Sequence, residues 1–171
     1  MSRIGVFFAE GYEEIEALTV VDLARRAGIE VCMISVEEKE EVKGSHGITV
    51  RMDGKLSETD FSGLDMLVLP GGKKGTEGLE SCGALMEQLD RFYEAGKPVA
   101  AICAAPSIFG HRGYLKGKRA TSYPSFEEHL EGAQVTHAPA ETDANVITGR
   151  GMGCSIPVSY THLRAHETLS D

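Results

Sequence analysis

The segment Ala100-Ala101-Ile102-Cys103-Ala104-Ala105-Pro106 sets one thiol at the end of an apolar run, followed at once by small residues and a helix-compatible proline. That is the layout of a nucleophile elbow, in which small neighbours permit a tight turn and the side chain is held above a sheet. A helix N-terminus beside the thiol favours the thiolate, so the expected pKa lies below the ~8.5 of free cysteine. The plain alternative is a small buried apolar side chain. Leu69-Pro70-Gly71-Gly72 also ends an apolar run. With no Cβ in the way, its amides can approach a reacting oxygen, or it can be only a turn. Glu13, Glu14 and Glu16 occupy the start of a helical segment, where the dipole alone favours negative charge. Glu16 differs in phase from Glu14. Facing the sheet edge beside a thiol, its carboxyl would be held protonated by desolvation and like charge, free to donate to Cys103 and to move a proton.

The elements that must position these groups alternate. Arg3 to Phe8 reads as a strand, Glu13 to Ala27 as a helix closed by Gly28, and Val31 to Val36 as a second strand. Ile48 to Met52 reads as an added β element, a hairpin arm beyond an acidic turn. Asp65 to Leu69 and Pro98 to Ile102 are short and almost wholly apolar, as strands buried on both faces are. Between them Leu79, Leu85, Met86, Leu89 and Phe92 recur at near-helical spacing. Ala104 to Gly110 reads as a helix, Arg119 to Tyr123 and Ala144 to Thr148 as strands, and Gly149 to Gly153 as a turn or helix entry. The expected fold class is α/β with a mostly parallel, doubly wound sheet, whose ligands bind beyond the carboxyl ends of the strands. Cys103, Gly72 and the first helix all collect at that edge.

The 171 residues, 42% hydrophobic and 25% charged, describe one globular domain and argue against disorder or a coiled coil. A formal charge of −9 without a basic stripe makes nucleic acid a poor expected partner. No apolar run approaches a membrane span, so a cytoplasmic protein is expected. Cys32, Cys82, Cys103 and Cys154 form no CxxC pair and read as free thiols. His162 and His166 stand four apart without a third ligand nearby, so no metal site is expected.

Three ordered motifs, Glu10-Gly11-Tyr12-Glu13-Glu14-Ile15-Glu16, Leu69-Pro70-Gly71-Gly72 and Ala101-Ile102-Cys103-Ala104-Ala105-Pro106, closely resemble the PfpI/DJ-1 superfamily. The likeness is to its parkinsonism-associated deglycase branch and small bacterial members, and it runs from Arg3 to about Gly153. Arg25-Arg26-Ala27-Gly28 and Thr148-Gly149-Arg150-Gly151 are also in register. The resemblance implies a flavodoxin-like three-layer sandwich, usually a homodimer, and chemistry without a cofactor. By the same resemblance Cys103 is the nucleophile, Glu16 its acid/base partner, and the Gly72 and Ala104 amides are the oxyanion donors.

Two departures stand out. Where several members carry histidine in a Thr-x-His-Pro setting, Thr121-Ser122-Tyr123-Pro124 has Tyr123. A phenol does not replace imidazole as a base at neutral pH, so a protease triad is not expected and Tyr123 is a candidate to orient substrate. Residues 154–171 lack the apolar stripe of the family's C-terminal helix, and Pro157 would interrupt one. The expected division is therefore a domain over 1–153 and an atypical, non-native-looking tail over 154–171.

The function the resemblance implies is that of a reactive-carbonyl enzyme of glyoxalase III or deglycase type. It would convert methylglyoxal or glyoxal to a hydroxy acid or repair early glycation adducts. A cysteine redox sensor or redox-linked chaperone is the alternative. An amidotransferase-like hydrolase is weaker, since it wants a His-x-Glu pair and His166-Glu167 is adjacent. A role in thiazole monophosphate biosynthesis, a label common among similar proteins, has no support in the chemistry of these residues.

Overall fold

A computed structural model describes residues 2–154. The chain begins with β1 (Arg3–Phe8), α1 (Glu14–Arg26), β2 (Glu30–Ser35) and a hairpin of β3 (Glu41–Lys43) and β4 (Thr49–Arg51). There follow β5 (Gly54–Lys55), β6 (Met66–Leu69), α2 (Lys73–Glu80), α3 (Gly83–Glu94), β7 (Val99–Ile102) and α4 (Pro106–His111). β8 (Arg119–Ala120), β9 (Gln134–Val135), β10 (Ala140–Asp143) and β11 (Val146–Gly149) complete the strands.

The main sheet has the order β10-β11-β7-β6-β1-β2-β5. Every pairing in it is parallel except β10 with β11. β6, β7 and β11 are buried at every residue, which is why their sequences are apolar without alternation. β1 sends Phe7 into one apolar cluster, with Leu85, Leu89 and Phe109. Ile4, Val6 and Phe8 enter the other, with Ala17 and Val20 of α1. Helices thus lie on both faces, as a three-layer sandwich requires. Strand order reverses between β1 and β6, the switch point where ligands of open parallel sheets bind. The expected loss of a C-terminal helix and the atypical tail fall outside the described residues, apart from the 3₁₀ turn Met152–Cys154.

Three elements differ from expectation. The single helix around Leu79 to Phe92 is two, α2 and α3, separated at Ser81 and Cys82. Leu79 keeps the phase of Met86, but the chain turns between them: Ser81 Oγ donates to the Gly78 carbonyl and the Cys82 N–H to the Leu79 carbonyl, which closes α2 before α3 begins. The strand expected over Arg119 to Tyr123 stops at Ala120, because the next residues bond elsewhere. Thr121 N–H donates to Thr148 Oγ1 at 3.0 Å and Tyr123 N–H to the Cys103 carbonyl at 2.9 Å. The last strand starts at Val146, since Ala144 (φ 51°) and Asn145 form a two-residue hairpin turn from β10.

Candidate active site

All five residues singled out for chemistry, Cys103, Glu16, Gly72, Ala104 and Tyr123, line one pocket of about 630 Å³ at the carboxyl edge of the sheet. Cys103 directly follows β7 and has φ 63°, a left-handed conformation for a side chain that normally avoids it. Such strain costs about 1–3 kcal/mol and persists only where the surroundings hold it. Here the Cys103 N–H donates to the Gly149 carbonyl, and its carbonyl accepts from Tyr123, each at 2.9 Å. Ala104 and Ala105 are wholly buried, so larger residues there would not fit the turn.

Gly72 reaches the thiol from the adjacent strand. Its φ is 87°, and a Cβ would lie 2.8 Å from the Glu13 amide nitrogen, so no other residue fits without displacing the start of α1. The Gly72 and Ala104 amides both donate toward the Cys103 sulfur. Glu16, in the first turn of α1, is 1% exposed. Its Oε2 accepts from the Gly71 N–H at 2.9 Å, and its carboxyl faces the Cys103 thiol. Glu16 Oε1 is buried without a hydrogen-bond partner among the described residues.

Burial pushes the Glu16 carboxyl up to about 7; the neighbouring Glu13 charge adds to the rise, while Cys103 and the Gly71 amide oppose it. This agrees with the expected raised acid. The thiol does not follow expectation: burial first, then the charge and hydrogen bond of Glu16, push Cys103 up to about 12 against the two amides. The helix that was to favour the thiolate has six residues and begins only at Pro106. Burial, aided by the facing carboxyl, therefore outweighs the two amides. Of the pair, Glu16 ionises first and Cys103 second.

Glu13 and Glu14 separate in role. Glu13 lines the pocket, while Glu14, 5% exposed, accepts from the His46 N–H at 2.8 Å and from Ser45 Oγ at 3.1 Å. These bonds pin the β3–β4 hairpin to α1. Burial alone would raise the Glu14 pKa, but hydrogen bonds led by the His46 ring outweigh it and hold the carboxyl down at about 2. Glu13, Glu14 and His46 offer three ligand atoms within 4.8 Å of one another, yet Ser45 and His46 already serve as donors to both carboxylates. Sequence reasoning missed Lys73, Phe126 and Arg150 as pocket residues. The signal for Arg150 was its place directly after β11, at the same sheet edge as Cys103. Nothing comparable marks Phe126, which sits in a 3₁₀ helix over Pro124–His129.

Comparison with known proteins gives a consistent result. The chain is 39% identical over 155 residues to Protein DJ-1 homolog B of Arabidopsis thaliana, covering 90% of this chain but only 35% of that protein. It therefore spans about a third of that plant relative's length. It is 32% identical to a Deglycase of Pyrococcus abyssi, over 88% of this chain and 91% of the relative. Among solved structures, a DJ-1 superfamily protein from Salmonella typhimurium superposes with a TM-score of 0.91 at 31% identity, covering 100% of this chain and 92% of the other. Toxoplasma gondii DJ-1, solved oxidized, gives 0.92 at 31% identity over 96% and 90% of the two chains. No helix among the described residues is long and apolar enough to cross a membrane. With the DJ-1/PfpI family profile matching residues 2–163, ten residues beyond Gly153, this chain belongs to the DJ-1/PfpI family.

Proposed function

We propose that the protein is a cysteine-dependent enzyme acting on reactive carbonyls, of glyoxalase III or deglycase type. The observation that carries this reading is the pairing of the strained Cys103 with the buried Glu16 carboxyl in one pocket at the sheet edge. The deglycase name of the Pyrococcus abyssi relative supports it.

In this reading Glu16, with a pKa of about 7, accepts the Cys103 thiol proton as sulfur bonds to the aldehyde carbon of methylglyoxal. The aldehyde oxygen takes up negative charge beside the Gly72 and Ala104 amides and is protonated to a hemithioacetal. The hemithioacetal carbon then loses its hydrogen as a proton, the neighbouring ketone carbon gains one, and the hydroxyl proton passes to the former ketone oxygen. The aldehyde carbon is thereby oxidised to a thioester and the ketone reduced to an alcohol, with no external redox partner. Water cleaves the thioester, releasing lactate and restoring the thiol. For an early glycation adduct the same sulfur displaces the amine, which leaves with a proton. Tyr123 would orient the substrate. The chemistry asks for no metal or organic cofactor.

Incubation of pure protein with methylglyoxal and assay of lactate tests the reading. Turnover by wild type that falls at least a hundredfold in Cys103→Ser is the expected result; turnover undiminished in that variant removes the nucleophile.

A redox-sensing role of Cys103 is the second reading, favoured by the carboxyl facing the sulfur, which when protonated can donate to a sulfinate. The similar Toxoplasma gondii DJ-1 was solved oxidized. Intact mass after mild peroxide should then show two oxygens added at Cys103 alone. A homodimer and a cytoplasmic location belong to the same proposal. Ile15 and Ile48, each about half exposed, are apolar surface that a second copy would cover.

A further inference from the structure

Order along the sheet edge separates the charges of the pocket. β11, β7, β6 and β1 are successive neighbours. Arg150 follows the first, Cys103 the second, Gly71 and Gly72 the third, and Glu13 lies beyond the fourth. Adjacent strands are about 4.8 Å apart, so the guanidinium is rooted one strand from the nucleophile on one side, while both glutamates approach from two strands away on the other. The chain carries a net charge of −9, and Glu13 and Glu16 both line the pocket, so the general field does not attract anions. Two cations line the pocket, Lys73 and Arg150, and Arg150 is the one on the side of Cys103 away from the glutamates.

The hydrogen bonding of Arg150 has a direction. Its side chain reaches Glu127 Oε1 at 3.2 Å and His137 Nδ1 at 3.1 Å, both from Nη1. Its backbone N–H donates to the Pro139 carbonyl at 3.0 Å. Nε and Nη2 have no hydrogen-bond partner among the described residues, which leaves the edge of the guanidinium that binds a carboxylate through two parallel hydrogen bonds. Glu127 thus holds the group in place without occupying its fork.

We propose that Arg150 is a specificity-determining residue that receives a carboxylate carried by the substrate close to the reacting carbon. The preferred substrates are then carboxylate-bearing carbonyls or adducts, such as those formed on an amino acid with a free α-carboxyl group. The proposal rests on the preceding reading in taking Cys103 as the reacting group.

Two alkylating reagents of similar size, iodoacetate and iodoacetamide, differ chiefly in charge and both transfer their carbon to sulfur with loss of iodide. Their rates at Cys103, located by peptide mass on the full chain, give a ratio in which changes of thiol ionisation or access cancel. Arg150→Gln is expected to lower the iodoacetate-to-iodoacetamide ratio about tenfold, the size of a lost charge-assisted hydrogen bond, with Arg150→Lys restoring part of it. An unchanged ratio, or equal slowing of both reagents, overturns the proposal and leaves Arg150 a structural residue. The ratio is independent of turnover. A fall in it with no lactate formed from methylglyoxal would sink the glyoxalase reading alone, and lactate formed with an unchanged ratio would sink this proposal alone. Absence of alkylation at Cys103 by either reagent counts against both.

Discussion

Gly71 donates its N–H to Glu16 Oε2 at 2.9 Å, and its own carbonyl accepts from the Glu13 N–H at 3.0 Å. One peptide after β6 is thereby stitched to the first turn of α1 and holds the carboxyl against the thiol. A Cβ on Gly71 would lie 2.7 Å from Cys103 Cβ and 2.8 Å from the Ile102 carbonyl oxygen, as well as against Glu16 Oε2. Gly71→Ala should lose about 1–3 kcal/mol of stability, read by urea unfolding, and should lower turnover far more than the unfolded fraction explains. Turnover and stability both unchanged would show that the close packing is not needed.

The hydrogen bond from the thiol favours ionisation of the carboxyl, whereas the carboxylate opposes ionisation of the thiol. Replacing Glu16 by Gln removes the charge and the hydrogen bond that raise the Cys103 pKa, so thiolate absorbance should appear at lower pH than in wild type, where the thiol is pushed up to about 12. Turnover should nevertheless fall by a factor on the order of a hundred to ten thousand, because the base is gone. An upward movement of the thiol titration in Glu16→Gln would contradict the assignment of the first charge to the carboxyl.

Glu14 is a structural group and should appear in stability alone. Its folded pKa, about 2, lies below the usual 4.5, so it contributes stability that is present above about 4.5 and lost as pH falls through about 2. Burial of the side chain permits an order-of-magnitude figure of about 2–3 kcal/mol at neutral pH. Glu14→Gln should be less stable than wild type at pH 7, and chemical denaturation should show the difference shrinking as pH falls below 4.5. A difference independent of pH would assign the effect to shape instead of charge.

The parallel core and the sheet edge that carries the candidate site were legible because a strand buried on both faces is apolar without alternation. The apolar runs before Gly71 and Cys103 could be little else than central strands, and chain order then forces their ends to one edge. Short, half-exposed β10 carries Ala-Glu-Thr-Asp, a sequence with no apolar face, and it exists because Val146 to Gly149 offer it an edge to pair with. The residues after Ala120 look like a strand but bond to Cys103 and Thr148 instead, a tertiary choice that no local pattern encodes. The same limit applies to the thiol. Its helix-end position was visible, but the desolvation and charge that reverse its expected pKa depend on Glu16, 87 residues earlier in the chain.

Tyr123 stands about half exposed at the pocket, its N–H bonded to the Cys103 carbonyl and its ring beside Gly151. The backbone bond survives any side-chain change. Tyr123→Phe should therefore keep the fold and raise KM for methylglyoxal by about two- to tenfold, the size of one hydrogen bond, with kcat changed less. Steady-state kinetics decide it, and a fall in kcat equal to that of Glu16→Gln would make the phenol part of the proton transfer itself.

Methylglyoxal turnover measured across pH probes the pairing of Glu16 with Cys103 most directly. Since the carboxylate is the active form, kcat/KM for lactate formation should rise with pH along a limb centred near 7, and that limb should be absent in Glu16→Gln. A wild-type profile flat through neutrality, or the same limb retained in Glu16→Gln, would contradict the assignment of Glu16 as the base.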